Sequence, residues 1–170
     1  MIIRAANIQD ASSIAKIHVD GWRQAYAELI DQDYLDSMDY LASEKKWIAN
    51  LTNSADMVYL VASSKDNQIL GFCVFEPVSL KIKLKALYVG STSQRNGVGK
   101  AFLKYLLEYS IRHKVKEIIV WVLKDNPFLR FYTKFGAAYS GESEIQIGAK
   151  SYIQLCYKWG DLDILKSTLQ

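Results

Sequence analysis

Residues 87–103 read LYVGSTSQRNGVGKAFL: the end of an apolar strand, a short polar stretch, QRNGVG with glycines at 97 and 99, and the start of a helix. After the glycines, Val98, Phe102, Leu103, Leu106, Leu107 and Ile111 recur at helical spacing, and EIIVWVL (117–123) is a continuous apolar run of strand length. The run before them, KIKLKALYV (81–89), is also a strand. Strand, helix and strand joined by a crossover this long predict a right-handed parallel βαβ unit.

Outward from that unit the hydrophobic period changes twice. Upstream, MVYLVAS (57–63) and ILGFCVFE (69–76) are joined by polar KDNQ and predict a hairpin. Before them come a short strand, IIRAA, and a helix from about Ala11 capped by Asp10, with Ile14, Ala15, His18, Trp22 and Ala25 or Tyr26 on one face and Gly21 weakening it. A second helical region spans 33–51, broken near 39–43, with Leu35, Met38, Leu41, Trp47, Ile48 and Leu51 as its apolar positions. Downstream, Asn126-Pro127 opens a short helix ending at Phe135-Gly136, and two strands follow, about 138–147 and 151–159, turned at Gly148. The order β-α-α-β-β-β-α-β-α-β-β predicts a single α/β domain over residues 1–170, with a mixed central sheet and helices on both faces.

Bulk composition agrees with one soluble globule. The 170 residues suit one domain, half are hydrophobic and 23% are charged, and no segment approaches a membrane span. Twenty-one basic against eighteen acidic residues give +3, too mild for a nucleic-acid binder but compatible with a phosphate-bearing ligand. The N-terminus lacks the apolar core of a signal peptide, so a cytoplasmic location is expected. Cys73 and Cys156 lie in apolar strand-like runs and read as small buried hydrophobes. His18 and His113 have no partners at metal-ligand spacing, so no metal is expected.

The glycine turn can hold an anion, because amides of the first helical turn lack partners and the helix dipole is positive there. Glycines admit close backbone approach, though such turns also end strands for structural reasons alone. A nucleotide P-loop would need glycine at 94 and Ser or Thr at 101, where Gln94 and Ala101 stand. A dinucleotide fingerprint would need a third glycine at Phe102.

The stretch instead resembles the acyl-CoA-binding motif of the GNAT N-acetyltransferases, an apolar strand followed by Gln/Arg-x-x-Gly-x-Gly/Ala and a helix, filled here by Gln94, Gly97 and Gly99. A second family motif, an Asn opening a helix that ends in Phe-Tyr and a glycine, is matched by NPFLRFYTKFGA with Asn126, Tyr132 and Gly136. WRQAY (22–26) and GAKSYIQLCYKW are weaker echoes, and the element order matches over nearly the whole chain. The resemblance implies the GNAT acyl-CoA N-acyltransferase fold. It implies acetyl-CoA as co-substrate, with the pyrophosphate on amides of Arg95, Asn96, Gly97, Val98, Gly99 and Lys100. Val89 would pair with the pantetheine arm, the Leu87 amide would be the oxyanion donor, Asn126 would help hold the arm, and Tyr132 would protonate the leaving thiolate.

Many members of that family carry a glutamate base four residues before the oxyanion donor, and here Lys83 stands there. Lys83 reads either as a solvated residue among alternating lysines or, if 83, 85 and 87 share a face by period two, as a group facing the acceptor channel. Glu76 is the remaining carboxylate for relaying a proton by water, or else an exposed charge at a strand end. Trp22 and Tyr26, an i, i+4 pair, read as core or as part of the acceptor site. The short Asn126 to Tyr132 spacing keeps Tyr132 at the sulfur only if its helix starts late. The expected reaction is acetyl transfer to a primary amine of a small molecule or peptide end. With Lys83 in the channel, that amine would be one of low pKa on an anionic molecule. The alternative is a catalytically weak acyl-CoA-binding regulatory module. No nucleic acid or membrane partner is expected, and the apolar last strand could pair subunits as a homodimer.

Overall fold

The computed structural model describes residues 1–53 and 55–170. The first half comprises β1 (Ile2–Ala5), α1 (Ala11–Tyr26), α2 (Gln32–Asp36), α3 (Tyr40–Asn53), β2 (Val58–Ser63), β3 (Ile69–Val78) and β4 (Lys81–Val89). The second comprises α4 (Val98–Arg112), β5 (Glu117–Leu123), α5 (Leu129–Lys134), β6 (Ala138–Ile147), β7 (Lys150–Trp159) and α6 (Leu162–Thr168). The described strands form one sheet in the order β1-β2-β3-β4-β5-β7-β6, antiparallel except for the β4–β5 pair. The βαβ unit expected around the glycine turn is therefore β4-α4-β5.

Helices cover both faces. Beneath α4 and α6 the main core gathers Phe75, Ile82, Leu84, Phe102, Leu103, Leu106, Ile118 and Trp159. On the other face α1 and α3 close over Val61, Phe72 and Val74, and α2 seals a third cluster with Leu35, Leu123 and Ile147. Trp159 is 1% exposed and its indole N–H donates to the Phe135 carbonyl at 2.7 Å, so its only polar atom is satisfied inside the core.

Several sequence expectations need correction. Asp10 does not cap α1 with its side chain; its carboxylate takes the Arg4 guanidinium at 2.7 and 2.8 Å and the Asn7 N–H at 2.9 Å, stapling β1 to the helix start. The helical region after α1 breaks at 37–39, earlier than the pattern suggests. Leu41, Ile48 and Ile111, placed on apolar stripes by period, are exposed. The helix α6 was not anticipated, although Asp161 caps it by accepting from the Asp163 N–H and Leu165 and Leu169 are buried.

The β3–β4 ladder contains one irregularity that decides the site. Val74 pairs with Ala86 but the next residue, Phe75, pairs with Leu84, so Lys85 is an extra residue in β4. Side-chain parity flips across this bulge: Ile82 and Leu84 face the α4 core below it, and Leu87 and Val89 face the same core above it. Lys83 therefore does not share a face with Leu87, and the period-two argument linking them fails.

Candidate active site

The parallel pairing of β4 and β5 runs only from Lys81↔Glu117 to Leu84↔Val120. Beyond that point β4 continues to Val89 and β5 to Leu123 without pairing, so the strands splay apart. The bulge at Lys85 lies where the splay begins, consistent with the extra twist that a bulge imposes.

The direction of the backbone groups in the splay follows from the β3 ladder. Gly90 N–H donates to the Leu70 carbonyl at 2.9 Å, so Leu70 and Gly90 belong to the hydrogen-bonded rungs. Rungs alternate in an antiparallel pair. Tyr88 thus turns its amide and carbonyl toward β3, whereas Leu87 and Val89, opposite Cys73 and Gly71, turn theirs toward the open side. The Gln94 side chain, which donates to Gln24 Oε1 at 2.9 Å, also reaches the Val89 carbonyl at 3.5 Å from that side.

A cleft of about 700 Å³ occupies the splay. Its walls include Leu87, Tyr88 and Val89 of β4, Trp121 of β5, Tyr26 of α1, Asn126 and Tyr132 around α5, and the turn residues Gln94, Arg95, Gly97, Val98, Gly99 and Lys100. No carboxylate lies among its described lining residues, while Lys85, Arg95, Lys100 and Lys134 do. The cleft is therefore a basic site, suited to a polyanion.

The turn that leads into α4 is built on left-handed residues. Arg95 has φ +63° and Gly97, the cap residue of α4, has φ +81°. Such alternation curls successive N–H groups around a common point and makes an anion-binding concavity at the helix N-terminus. The two glycines serve different ends. Around a Cβ at Gly97 nothing lies within 4 Å, whereas a Cβ at Gly99 would stand 2.9 Å from the Phe131 ring.

On the opposite wall three tyrosines converge. Tyr26 accepts a hydrogen bond from Asn126 Nδ2 at 3.1 Å, and its hydroxyl adjoins that of Tyr88. Asn126 Oδ1 in turn accepts the Phe128 N–H at 2.8 Å, which delays the start of α5 to Leu129. That late start sets Tyr132 into the cleft lining, 8% exposed, with its hydroxyl unbonded to any described residue and accessible from the cleft. Burial raises the Tyr132 phenol well above its ordinary value, with the neighbouring Tyr26 and Cys73 adding to the effect. Tyr132 is thus a protonated donor at any physiological pH. Burial acts likewise on Tyr88 and Tyr26.

Other expected site residues fall elsewhere. Glu76 and Lys83 are a cross-strand pair outside the cleft lining, and Glu76 is shared between Lys83 at 3.8 Å and Lys85 at 3.6 Å. Trp22 packs edge-on against Tyr26 and stays behind the cleft wall, its indole N–H buried without an acceptor in the described structure. Asn96 is exposed on the turn but does not line the cleft. Sequence reading passed over Tyr88, Lys85 and Trp121. Tyr88 has a faint signal in Gly21, where a Cβ would stand 2.6 Å from the Tyr88 ring, so the glycine inside α1 is what lets the ring approach the helix. His18, without a role from sequence, is enclosed by Trp22, Trp47, Phe72 and Tyr88 at 5.1 to 6.0 Å, and burial lowers its pKa to about 4. Cys73 and Cys156 are free and buried, and among the described residues no group of three or more His, Cys, Asp or Glu could hold a metal ion.

Comparison with known proteins agrees with this architecture. Residues 18–137 match the family described as Acetyltransferase (GNAT) family. An uncharacterised N-acetyltransferase of Bacillus subtilis strain 168, YuaI, is 31% identical, the match covering 98% of this chain and 97% of that protein. A spermidine N(1)-acetyltransferase of Thermoplasma acidophilum is 23% identical over 79% of this chain and 86% of its own length. Among solved structures, the PaiA N-acetyltransferase of Thermoplasma acidophilum in complex with coenzyme A superposes with a TM-score of 0.75, at 21% identity, covering 93% of this chain and 98% of that one. The chain belongs to the GNAT acetyltransferase family, and it is an acyltransferase with that family's fold.

Proposed function

We propose that the protein transfers an acetyl group from acetyl-CoA to the primary amine of a small molecule or a peptide end, by direct attack in a ternary complex. The observation that carries this reading is the splay: Leu87 and Val89 turn unpaired backbone groups into a basic cleft that ends at the Arg95–Lys100 turn. Coenzyme A fits that order of groups. Its pyrophosphate meets the amides of Arg95 to Lys100, and its pantetheine arm adds to β4 at Val89 as an extra strand would. The Leu87 N–H then points at the thioester carbonyl and stabilises the oxyanion as the amine attacks.

As the tetrahedral intermediate collapses, the carbon–sulfur bond breaks, Tyr132 gives the departing sulfur a proton, and the proton that the attacking nitrogen sheds as the amide forms restores the phenol. A thiolate of parent pKa ~8.5 needs modest assistance, so Tyr132 accelerates the step without being indispensable. Among the described residues no carboxylate lines the cleft to deprotonate the acceptor. A lysine-like amine of pKa ~10.4 costs about 4–5 kcal/mol to deprotonate at pH 7, whereas the α-amino group of a peptide end, near ~7.8, costs about 1. The cleft therefore favours an acceptor of low pKa, with the ammonium proton leaving to water. Spermidine, named for one relative, is an acceptor of the other kind.

Calorimetry with acetyl-CoA, ATP and NAD, followed by thiol release over a panel of amines, tests this reading. Tight binding of acetyl-CoA alone with amine-dependent release of CoA supports it. Binding without release faster than the buffer rate would instead describe a regulatory acyl-CoA sensor, the reading that the missing carboxylate favours.

A further inference from the structure

Below the splay, one part of the sheet lies outside the helical cover. Ile118, Val120 and Val122 of β5 point into the α4 core, so Glu117, Ile119, Trp121 and Leu123 point the other way. Leu123 is sealed beneath α1 and α2 with Tyr26, Ile30 and Leu35, but Trp121, two residues earlier, is 44% exposed. An exposed indole in a central strand is uncommon, and this one also lines the cleft together with Lys85. Trp121 and Lys85 are the first residues of β5 and β4 past their last paired rung, so the open face meets the cleft between them.

The charge of that face is uneven. Glu76 is shared by Lys83 and Lys85, and Glu117 by Lys81 at 3.1 Å and Lys158 at 3.3 Å. Four ammonium groups surround two carboxylates, leaving a net +2 over the face that carries the Ile119–Trp121 stripe. The alternative approach, between α2 and the β6–β7 hairpin, is bridged at its rim. Asp31 pairs with Lys150, the Asp31 N–H donates to the Tyr152 hydroxyl at 3.0 Å, and the Tyr34 ring fills the space beside Gly148.

We infer that the acceptor docks on this open face, its apolar or planar part against Trp121 and an anionic group toward Lys83 and Lys85, with the amine passing between Lys85 and Trp121 into the cleft. The inference rests on the acetyl-transfer reading and adds to it the chemistry of the acceptor: a primary amine on a body carrying both an apolar group and a carboxylate. A second copy of this chain is the competing occupant, but two copies of a face that is net positive repel each other, whereas an anionic acceptor is attracted.

The test uses four probes in a thiol-release assay: L-phenylalanine, phenethylamine, glycine and spermidine. They separate ring from carboxylate. The parent should acetylate L-phenylalanine with the highest kcat/KM. Trp121→Ala should raise the KM for phenylalanine about tenfold and bring the phenylalanine to glycine ratio toward one. Lys85→Ala should bring the phenylalanine to phenethylamine ratio toward one, and Lys81→Ala, farther down the face, should change neither. All ratios are taken at saturating acetyl-CoA, its affinity for each variant being measured by calorimetry, so that any loss of cofactor binding does not enter them. Preference for spermidine, turnover of none of the four, or unchanged ratios in Trp121→Ala and Lys85→Ala overturn the inference while leaving acetyl transfer standing, provided acetyl-CoA binds. A parent that sediments as a dimer and a Trp121→Ala variant that sediments as a monomer also overturn it. Absence of acetyl-CoA binding removes both readings together.

Discussion

The ring of Phe131 occupies the space a side chain on Gly99 would need, 2.9 Å from where its Cβ would stand. Gly99 is thus a packing residue for α5, whereas Gly97 owes its identity to its left-handed conformation and to open space around it. Gly97→Val should cost about 1–2 kcal/mol of backbone strain, a few degrees in Tm, and weaken acetyl-CoA binding strongly. Gly99→Val should lower Tm more, because Phe131 packs in turn on Tyr132 and Phe135 at 5.3 and 5.2 Å. Thermal unfolding beside calorimetry distinguishes them; equal Tm losses would show that the two glycines do the same job.

Tyr132→Phe removes one hydroxyl that bonds to nothing in the described structure, so stability should change little. If that hydroxyl protonates the departing thiolate, kcat falls roughly 10–100-fold while acetyl-CoA affinity holds, the pattern of an interaction made in the transition state. An unaltered kcat would remove Tyr132 from the chemistry.

Asn126 and Tyr26 should be coupled. Asn126→Ala frees both the Phe128 N–H and the Tyr26 hydroxyl, and Tyr26→Phe strands the Asn126 amide. A double-mutant cycle on unfolding free energy should return a coupling of about 1 kcal/mol. Strict additivity would mean that the 3.1 Å contact holds nothing together.

The fold was legible because hydrophobic period and the glycine turn agreed: one period placed β4, α4 and β5, and the same stretch holds the left-handed turn at one end of the cleft. Leu87, Val89, Gln94, Asn126 and Tyr132 fall on one cleft as their motif positions suggest. What escaped was whatever depends on a single residue of register. The bulge at Lys85 leaves no mark in KIKLKALYV, yet it reverses the face of Lys83 relative to Leu87. EIIVWVL reads as uniformly buried, because composition cannot tell that the helical cover stops between Leu123 and Trp121. Asp161, Leu165 and Leu169 carry the cap and spacing of α6, but a helix of 7 residues is too short for a hydrophobic period to declare itself.

His18 gives the structure a pH dependence. Its folded pKa, about 4, lies below the ~6.5 of an unfolded histidine, so the unfolded chain binds a proton that the native state refuses. That contribution to stability is complete above pH 6.5 and is lost progressively as pH falls toward 4, reaching about 2 kcal/mol at pH 5. His18→Phe keeps an aromatic ring among Trp22, Trp47, Phe72 and Tyr88 and should be more stable relative to the parent at pH 5 than at pH 8 by that amount. Denaturant titrations at the two pH values measure it, and an equal difference at both would place His18 in contact with water.

The central claim, direct transfer from acetyl-CoA in the splay to an amine, is tested most directly by initial rates of CoA release over a grid of acetyl-CoA and L-phenylalanine concentrations. The account predicts amine-dependent release with intersecting double-reciprocal lines, because both substrates must be bound before the carbon–sulfur bond breaks. Parallel lines, which require an acetylated enzyme, or release independent of the amine, would contradict it.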